Sequence, residues 1–221
     1  MMFYKKNRTM KKINGDSIVY VFARIFSTVL SPLLMPTMGI FIALWATVLC
    51  YIPAGTRLVV MLVVFGITCI MPMVAIAVLH NLKIIEDKRL VKREERWLPY
   101  IATVLCYICS AIYLHHIHTP QWVVMFMVGG AVACIISTVV TLWWKISAHM
   151  AGIGGLLALV VHIHIDGYNV MDMKPLIALV VLLAGCLGSS RIFMGRHTLW
   201  QVLMGFANGF LMVYLTCTLF S

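Results

Sequence analysis

The chain has 221 residues, of which 62% are hydrophobic and only 11% carry a charged side chain. This composition excludes an ordinary water-soluble domain and indicates an integral membrane protein. The formal net charge of +10 comes from 17 Lys and Arg residues against 7 Asp and Glu, but it belongs to no soluble basic region that would bind nucleic acid, so we interpret these cations mainly as membrane-interface anchors.

The first 30 residues combine a basic tail, residues 1–16, with a short apolar segment. The segment lacks a convincing small-residue cleavage site, so we expect a retained anchor and not a signal peptide. Residues 17–30 contain Arg24, and Pro32 and Pro36 break any helix that runs onward, because proline lacks a backbone donor and clashes with the preceding turn. This segment either lies in the membrane interface or crosses the membrane as a short span.

Apolar runs of about 20 residues, which cross a hydrocarbon core of roughly 30 Å as helices, recur along the rest of the chain. They predict seven spans, at residues 33–52, 58–79, 98–117, 122–144, 147–165, 175–192 and 198–220. The sequence therefore predicts an all-α, polytopic transmembrane helical bundle of about six to eight spans, with residues 17–221 forming a single membrane-embedded domain. Gly205 and Gly209 in the last span are expected to allow close helix packing.

Three polar clusters interrupt these runs, and each follows an even-numbered span. The clusters are the charged loop at 83–99, Ser147 with His149, and Ser190 with Arg191 and His197. Because every two crossings return the chain to the same side, all three clusters face one side of the membrane, whether or not residues 17–30 cross. Arg and His in or near a membrane are costly without partners, so this face is the predicted functional site.

The residue types in these clusters suit an anionic substrate. A helix that starts near Ser147 offers backbone N–H groups and a hydroxyl, which bind anions readily. Two histidines, a serine and several cations fit phosphoryl transfer through a covalent histidine intermediate. That chemistry needs a nucleophilic imidazole, a proton donor for the leaving oxygen and a cationic cradle.

This pattern resembles the signature of the type-two phosphatidic acid phosphatase superfamily, integral-membrane lipid phosphatases related to vanadium haloperoxidases. The third motif of that family, Ser-Arg-x5-His-x3-Asp, matches Ser190, Arg191 and His197 at the same spacing. The resemblance implies that His197 is the nucleophile that attacks phosphorus. It also implies that Arg191 and Ser190 hold phosphate oxygens.

The second family motif, Pro-Ser-Gly-His, is matched more loosely by residues 146–149, where Ile and Ala stand in place of Pro and Gly. By the resemblance, His149 protonates the leaving alcohol or phosphate. Ser147 and the backbone amides around Ala148 would cradle the phosphoryl group, and alanine in place of glycine still leaves an N–H available.

Two further positions depart from the family pattern. The first motif, Lys-x6-Arg-Pro, corresponds to Arg89 and Arg96 with the right separation, but Pro99 follows three residues after Arg96, and Lys88 is an alternative partner. These residues are the remaining candidate phosphate ligands. Gln201 occupies the position of the Asp that orients the nucleophile, and its oxygen can accept the ring N–H but cannot stabilise a positive imidazolium as a carboxylate does.

A second group of histidines follows the odd-numbered spans on the opposite face. It comprises His115, His116 and His118 after the third span, and His162, His164 and Asp166 after the fifth. A His and Asp metal site is chemically reasonable there. However, the spacing matches no strong metal-binding signature and histidines are common at interfaces, so we predict no metal site.

We therefore expect a bacterial-type inner-membrane phosphatase that hydrolyses a lipid phosphate or pyrophosphate through a phosphohistidine, with neither cofactor nor metal. Substrates implied by the resemblance include polyprenyl pyrophosphate, phosphatidylglycerol phosphate, phosphatidic acid and phosphorylated lipid A. The alternative is a catalytically silent lipid-phosphate-binding or scaffold protein of the same fold. Charge bias favours a cytoplasmic site, whereas the external site usual in the family would require residues 17–30 to cross.

Overall fold

The computed structural model describes residues 18–83 and 97–220, and in these two segments the chain forms helices and no β-strand. The α-helices are α1 Ile18–Val29, α2 Met35–Ala46, α3 Ala54–Phe65, α4 Met71–Asn81, α5 Trp97–His116, α6 Gln121–Thr141, α7 Ala148–Ile165, α8 Lys174–Phe193 and α9 Leu199–Leu219. The all-α fold class is confirmed.

Six helical segments of the described chain are long and apolar enough to cross a membrane. They are the continuous run Ala54–Asn81 and the helices α5 to α9. Six of the seven predicted spans coincide with these segments, which confirms a polytopic transmembrane bundle. Two shorter apolar helices, α1 and α2, precede them.

The predicted span at 33–52 contains a shorter helix than expected. Helix α2 has 12 residues, which gives it a length of about 18 Å. It is followed by extended backbone at Thr47, which pairs with Asn169 in an isolated antiparallel bridge. Just before α2, Pro32 lies against Gly152 in the first turns of α7. The segment therefore still runs along α7, from its start to the loop beyond its end.

The run Ala54–Asn81 is helical throughout but not uniformly α-helical. A π-helical turn at Gly66–Ile70 joins α3 to α4, and Pro72 lies in the first turn of α4. Proline cannot donate the usual backbone hydrogen bond, and a π turn widens the helix at such a point. Helix α3 packs against α2, and α4 packs against α5.

Helix α7 is the centre of the bundle and packs against α2, α6, α8 and α9. Its most extensive contact is with α9, because glycines allow the two backbones to meet. A Cβ atom on Gly209 would clash with the Ala151 carbonyl, and one on Gly205 would lie 2.6 Å from the Ser147 carbonyl oxygen. The predicted close packing at both glycines is confirmed, and it holds the start of α7 against the first turns of α9.

Candidate functional site

The turn after α8 brings Arg191 next to His197. Gly195 adopts a left-handed φ of 66°, which glycine tolerates because it has no Cβ atom. In this tight turn the Arg191 carbonyl accepts hydrogen bonds from the backbone N–H groups of Arg196, at 3.1 Å, and His197, at 3.3 Å. The predicted pair is therefore held together by its own backbone, and His197 is only 8% exposed.

Gln201 contacts the His197 ring from the first turn of α9. Its side-chain oxygen Oε1 lies 3.3 Å from His197 Nδ1 and also accepts a hydrogen bond of 3.1 Å from the Thr198 N–H. Thr198 is the N-cap of α9, and its hydroxyl accepts from the Gln201 N–H, so the two residues form a capping box. Because an amide oxygen only accepts, Nδ1 of the neutral His197 ring carries the proton and Nε2 keeps the lone pair.

The start of α7 is tied to the same turn of α9. The backbone N–H of Ser147 donates to the Gln201 carbonyl at 3.2 Å. Gly205, one turn further along α9, lies against the Ser147 carbonyl. These two contacts carry His149, the second residue of α7, to the end of the bundle that holds His197.

Ser27 completes the site, although the sequence analysis did not identify it. It lies in the last turn of α1 and is 6% exposed. Its hydroxyl accepts a hydrogen bond of 2.9 Å from Arg191 Nη1, and its carbonyl oxygen lies 3.1 Å from His149 Nε2. Because a carbonyl oxygen only accepts, Nε2 of His149 carries a proton. Helix α1 packs against α8, and through this one serine it contacts both Arg191 and His149.

Helical spacing is the signal that could have identified Ser27. Ala23, Ser27 and Leu30 are buried at the spacing of one helical face, whereas Arg24 and Thr28 are exposed. A polar side chain on the buried face of an apolar helix needs a hydrogen-bond partner. Within residues 17–30, the buried Ser27 therefore indicated the site, whereas the exposed Arg24 did not.

These contacts form a circuit that joins the ends of four helices. It runs from Ser27 to Arg191, His197, Gln201, Ser147, His149 and back to Ser27. The His149 ring directs a protonated nitrogen at the Ser27 carbonyl, the His197 ring directs its Nδ1 at Gln201, and the Arg191 guanidinium bonds to the Ser27 hydroxyl. Such an arrangement can bind an oxyanion and transfer protons to and from it.

The hydroxyl groups of two predicted phosphate ligands, Ser190 and Ser147, have different surroundings. Ser190 donates its hydroxyl hydrogen to the Cys186 carbonyl within α8, at 2.8 Å. Ser147 is completely buried, and its hydroxyl has no hydrogen-bond partner among the described residues. The first backbone N–H groups of α7, beginning at Ala148, have no carbonyl partner within the helix and remain as its anion-binding feature. The other predicted ligands, Arg96, Arg89 and Lys88, lie outside the described residues.

The histidines of the opposite face form no ligand cluster. His162 is completely buried against the rings of Trp122 and Tyr168, and its Nδ1 lies 3.6 Å from Asp166 Oδ2. The other histidines there are exposed or half-buried: His115, His116, His118 and His164. Within residues 18–83 and 97–220, no group of three or more His, Cys, Asp or Glu side chains is placed to hold a metal ion.

In comparisons with known proteins, no family model, no curated protein and no solved structure matches this chain.

Proposed function

We propose that this protein is a membrane phosphatase that hydrolyses a lipid phosphate or pyrophosphate through a phosphohistidine intermediate. The observation that carries the proposal is the set of side-chain and backbone hydrogen bonds that, with the chain step from Ser147 to His149, gathers His149, Arg191 and His197 at one end of the bundle. These side chains supply a proton donor, an anion-binding cation and a lone pair. Phosphoryl transfer through histidine requires these three functions.

In the proposed reaction, His197 Nε2 attacks phosphorus while the bond from phosphorus to the leaving oxygen breaks. The leaving oxygen takes the proton from Nε2 of His149. Arg191 balances the charge on the non-bridging phosphoryl oxygens, for which a guanidinium is well suited. Water then attacks the phosphohistidine and gives a proton to His149, and inorganic phosphate departs with the lone pair restored to His197.

Exposed tryptophans support a substrate located at the membrane surface. Trp143 is 74% exposed and Trp200 is 68% exposed. They lie before the start of α7 and in the first turn of α9, the two helices whose starts contribute to the site. Because tryptophan is enriched where lipid tails meet water, this level of the bundle favours a phosphate group carried by a lipid.

Phosphate release by purified protein in detergent tests the proposal, with several lipid phosphates and pyrophosphates as substrates. We expect His197→Ala to lose about a thousandfold or more in rate and to lose an acid-labile phosphoryl group that can be trapped on the wild-type protein. His118→Ala, which changes an exposed histidine of the opposite face, is the matched control and should keep the wild-type rate. Turnover that survives in His197→Ala would contradict the mechanism.

A catalytically silent lipid-phosphate-binding protein is the second candidate, and the neutral amide of Gln201 favours it. An amide orients the ring but cannot stabilise a positive imidazolium as a carboxylate does. Under this alternative, lipid phosphates bind without hydrolysis, and His197→Ala leaves their binding unchanged. Both results together, for every lipid phosphate tested, would reject the enzyme.

A further inference from the structure

A cavity of about 100 Å³ lies between the turn before α2 and the helices α5, α6, α7 and α9. One wall is a stripe of small residues on α7, at the spacing of a single helical face: Ala148, Ala151, Gly152 and Gly155. Facing walls include Gly130 of α6 and Tyr107 of α5. Because the stripe has such short side chains, space remains beside α7 where neighbouring helices would otherwise fill it.

The cavity is suited to hydrocarbon. Most of its lining is apolar, and two polar side chains in its wall are already satisfied by the protein. Thr103 donates its hydroxyl hydrogen to the Pro99 carbonyl at 2.8 Å, and the Ser137 hydroxyl accepts from Asn208 at 3.0 Å. An apolar cavity does not hold water well, and the atoms that line a void lack the dispersion contacts that a bound chain would restore.

The cavity borders the proposed phosphate site at one residue, Ala148. The backbone N–H of Ala148 belongs to the first turn of α7, where N–H groups have no carbonyl partner within the helix. Its neighbours Ser147 and His149 belong to the circuit described above. From Ala148 to Gly155 the stripe descends about 10 Å along the helix axis, away from the end that carries Trp143. A molecule with its phosphate at the start of α7 can therefore extend a chain along the stripe.

We propose that this cavity binds one hydrocarbon chain of the lipid phosphate, and that its depth makes the protein selective for long-chain substrates. The proposal rests on the proposed function, because it takes the anionic end of the same molecule to lie at His149 and Arg191. Lipid tails surround the protein on all sides, so the selectivity arises from the fit of the chain in the cavity and not from the hydrophobic effect alone.

Two glycines provide a matched pair of variants. A Cβ atom on Gly130 would lie 3.7 Å from Tyr107, an ordinary contact, and a larger side chain would continue into the cavity. Gly185 also lies within a helix, α8, has open space at its Cβ position and is not part of the cavity. Gly130→Leu therefore fills the cavity, and Gly185→Leu adds the same side chain elsewhere. Gly130→Ala adds only a methyl group, which makes ordinary contacts, so it fills less of the cavity and should retain the fold.

The experiment compares a long-chain lipid phosphate with a short, water-soluble phosphate ester, in mixed micelles. We expect Gly130→Leu to raise the KM ratio of long to short substrate about tenfold, and Gly130→Ala about twofold, with kcat for the short ester unchanged. Gly185→Leu should leave the ratio unchanged. An unchanged ratio in both Gly130 variants, with the short ester still hydrolysed, would overturn the cavity proposal while the phosphatase proposal stands.

Binding of alkyl phosphonates, which cannot be hydrolysed, tests the cavity proposal even if the protein is not a phosphatase. We expect the wild type and Gly185→Leu to prefer long alkyl chains and Gly130→Leu to lose that preference. If this pattern holds while no phosphate ester is hydrolysed, the cavity proposal stands and the phosphatase proposal fails. Equal retention of phosphatidylcholine and of a long-chain phosphonate would overturn the cavity proposal, because it would identify the occupant as a structural lipid.

Discussion

Two oxygen atoms of Ser27 accept hydrogen bonds from side chains that the proposed substrate would also contact. Its hydroxyl accepts from Arg191, and its carbonyl accepts from His149. That carbonyl belongs to the last turn of α1, where carbonyls lack partners within the helix and carry the partial negative charge of the helix dipole. Under the proposed function, the end of α1 would therefore compete with the phosphoryl group of the substrate for the same donors.

Ser27→Ala tests this competition. The substitution removes the hydroxyl that Arg191 must exchange for a phosphate oxygen, so we expect phosphate or tungstate to bind about three- to tenfold more tightly, which corresponds to about one hydrogen bond. Isothermal titration calorimetry on the purified protein measures the change. Thr28→Ala is the control, because it removes an exposed hydroxyl that bonds only to the Arg24 carbonyl of its own helix. Weaker binding in Ser27→Ala would instead mean that the serine holds Arg191 in position.

Gln201 has two roles, since its side-chain oxygen contacts His197 and caps the backbone at Thr198. Gln201→Glu keeps the length of the side chain and the capping box, and it adds a negative charge at a helix start, where the dipole favours it. A carboxylate also stabilises the positive ring that forms as His197 attacks. We expect the rate of phosphate release to rise about tenfold or more.

Steady-state rates over a range of pH measure the effect of Gln201→Glu. Gln201→Ala is the complementary variant. It removes the orienting oxygen and the reciprocal cap, so it should lower both the rate and, by about 1 kcal/mol, the stability of α9. If Gln201→Glu has the wild-type rate at every pH, this side chain does not orient the nucleophile.

At the scale of the helices, the contact between α7 and α9 sets the geometry of the site. Gly209 meets the Ala151 carbonyl directly, so a methyl group there forces the helices apart. We expect Gly209→Ala to destabilise the protein by about 1–3 kcal/mol, measured as a lower midpoint of thermal unfolding in detergent. Gly185→Ala, with open space at its Cβ position, should be neutral or stabilising, because alanine favours a helix over glycine. Equal effects of the two substitutions would contradict a backbone contact at Gly209.

The sequence predicted the long helices well, because a membrane span has one strong local signal, a run of about 20 apolar residues. The sequence did not predict the end of a helix where that end depends on contact with a distant segment. Helix α2 stops before Thr47 because this residue turns to pair with Asn169, and no local pattern records that partner. The π turn at Gly66–Ile70, just before Pro72, was likewise not predicted.

At the scale of the whole molecule, two crossings, α7 and α8, separate the start of α7 from the turn that precedes α9. His149 at the start of α7, Arg191 near the end of α8 and His197 just before α9 therefore lie at the same end of the bundle, as the counting of crossings predicted. Side-chain direction could not be predicted in the same way. Ser190 bonds back to its own helix, Ser147 is buried, and Ser27 enters the site through the packing of α1 on α8. These outcomes depend on neighbours that are distant in sequence.

The bundle predicts which loops share a membrane face. The start of α7 bonds to the first turn of α9, so loops beside these helix starts lie on one face, whereas the loops after α5 and α7 lie on the other. Single cysteines at Trp143→Cys and Arg196→Cys should react with a membrane-impermeant maleimide from one side of intact cells. Single cysteines at His118→Cys and Asp172→Cys should react only from the opposite side.

The native cysteines that are exposed or half-buried, Cys50, Cys109, Cys134 and Cys186, are replaced by alanine in all four proteins so that the introduced thiol is the accessible one. Labelling of Arg196→Cys from outside would place the site on the external face. The end of α1 lies at the site, so a cytoplasmic basic tail would then require the residues before Ser27 to cross the membrane. Labelling of Trp143→Cys and Arg196→Cys from opposite sides would contradict the arrangement of α7, α8 and α9 and, with it, the site.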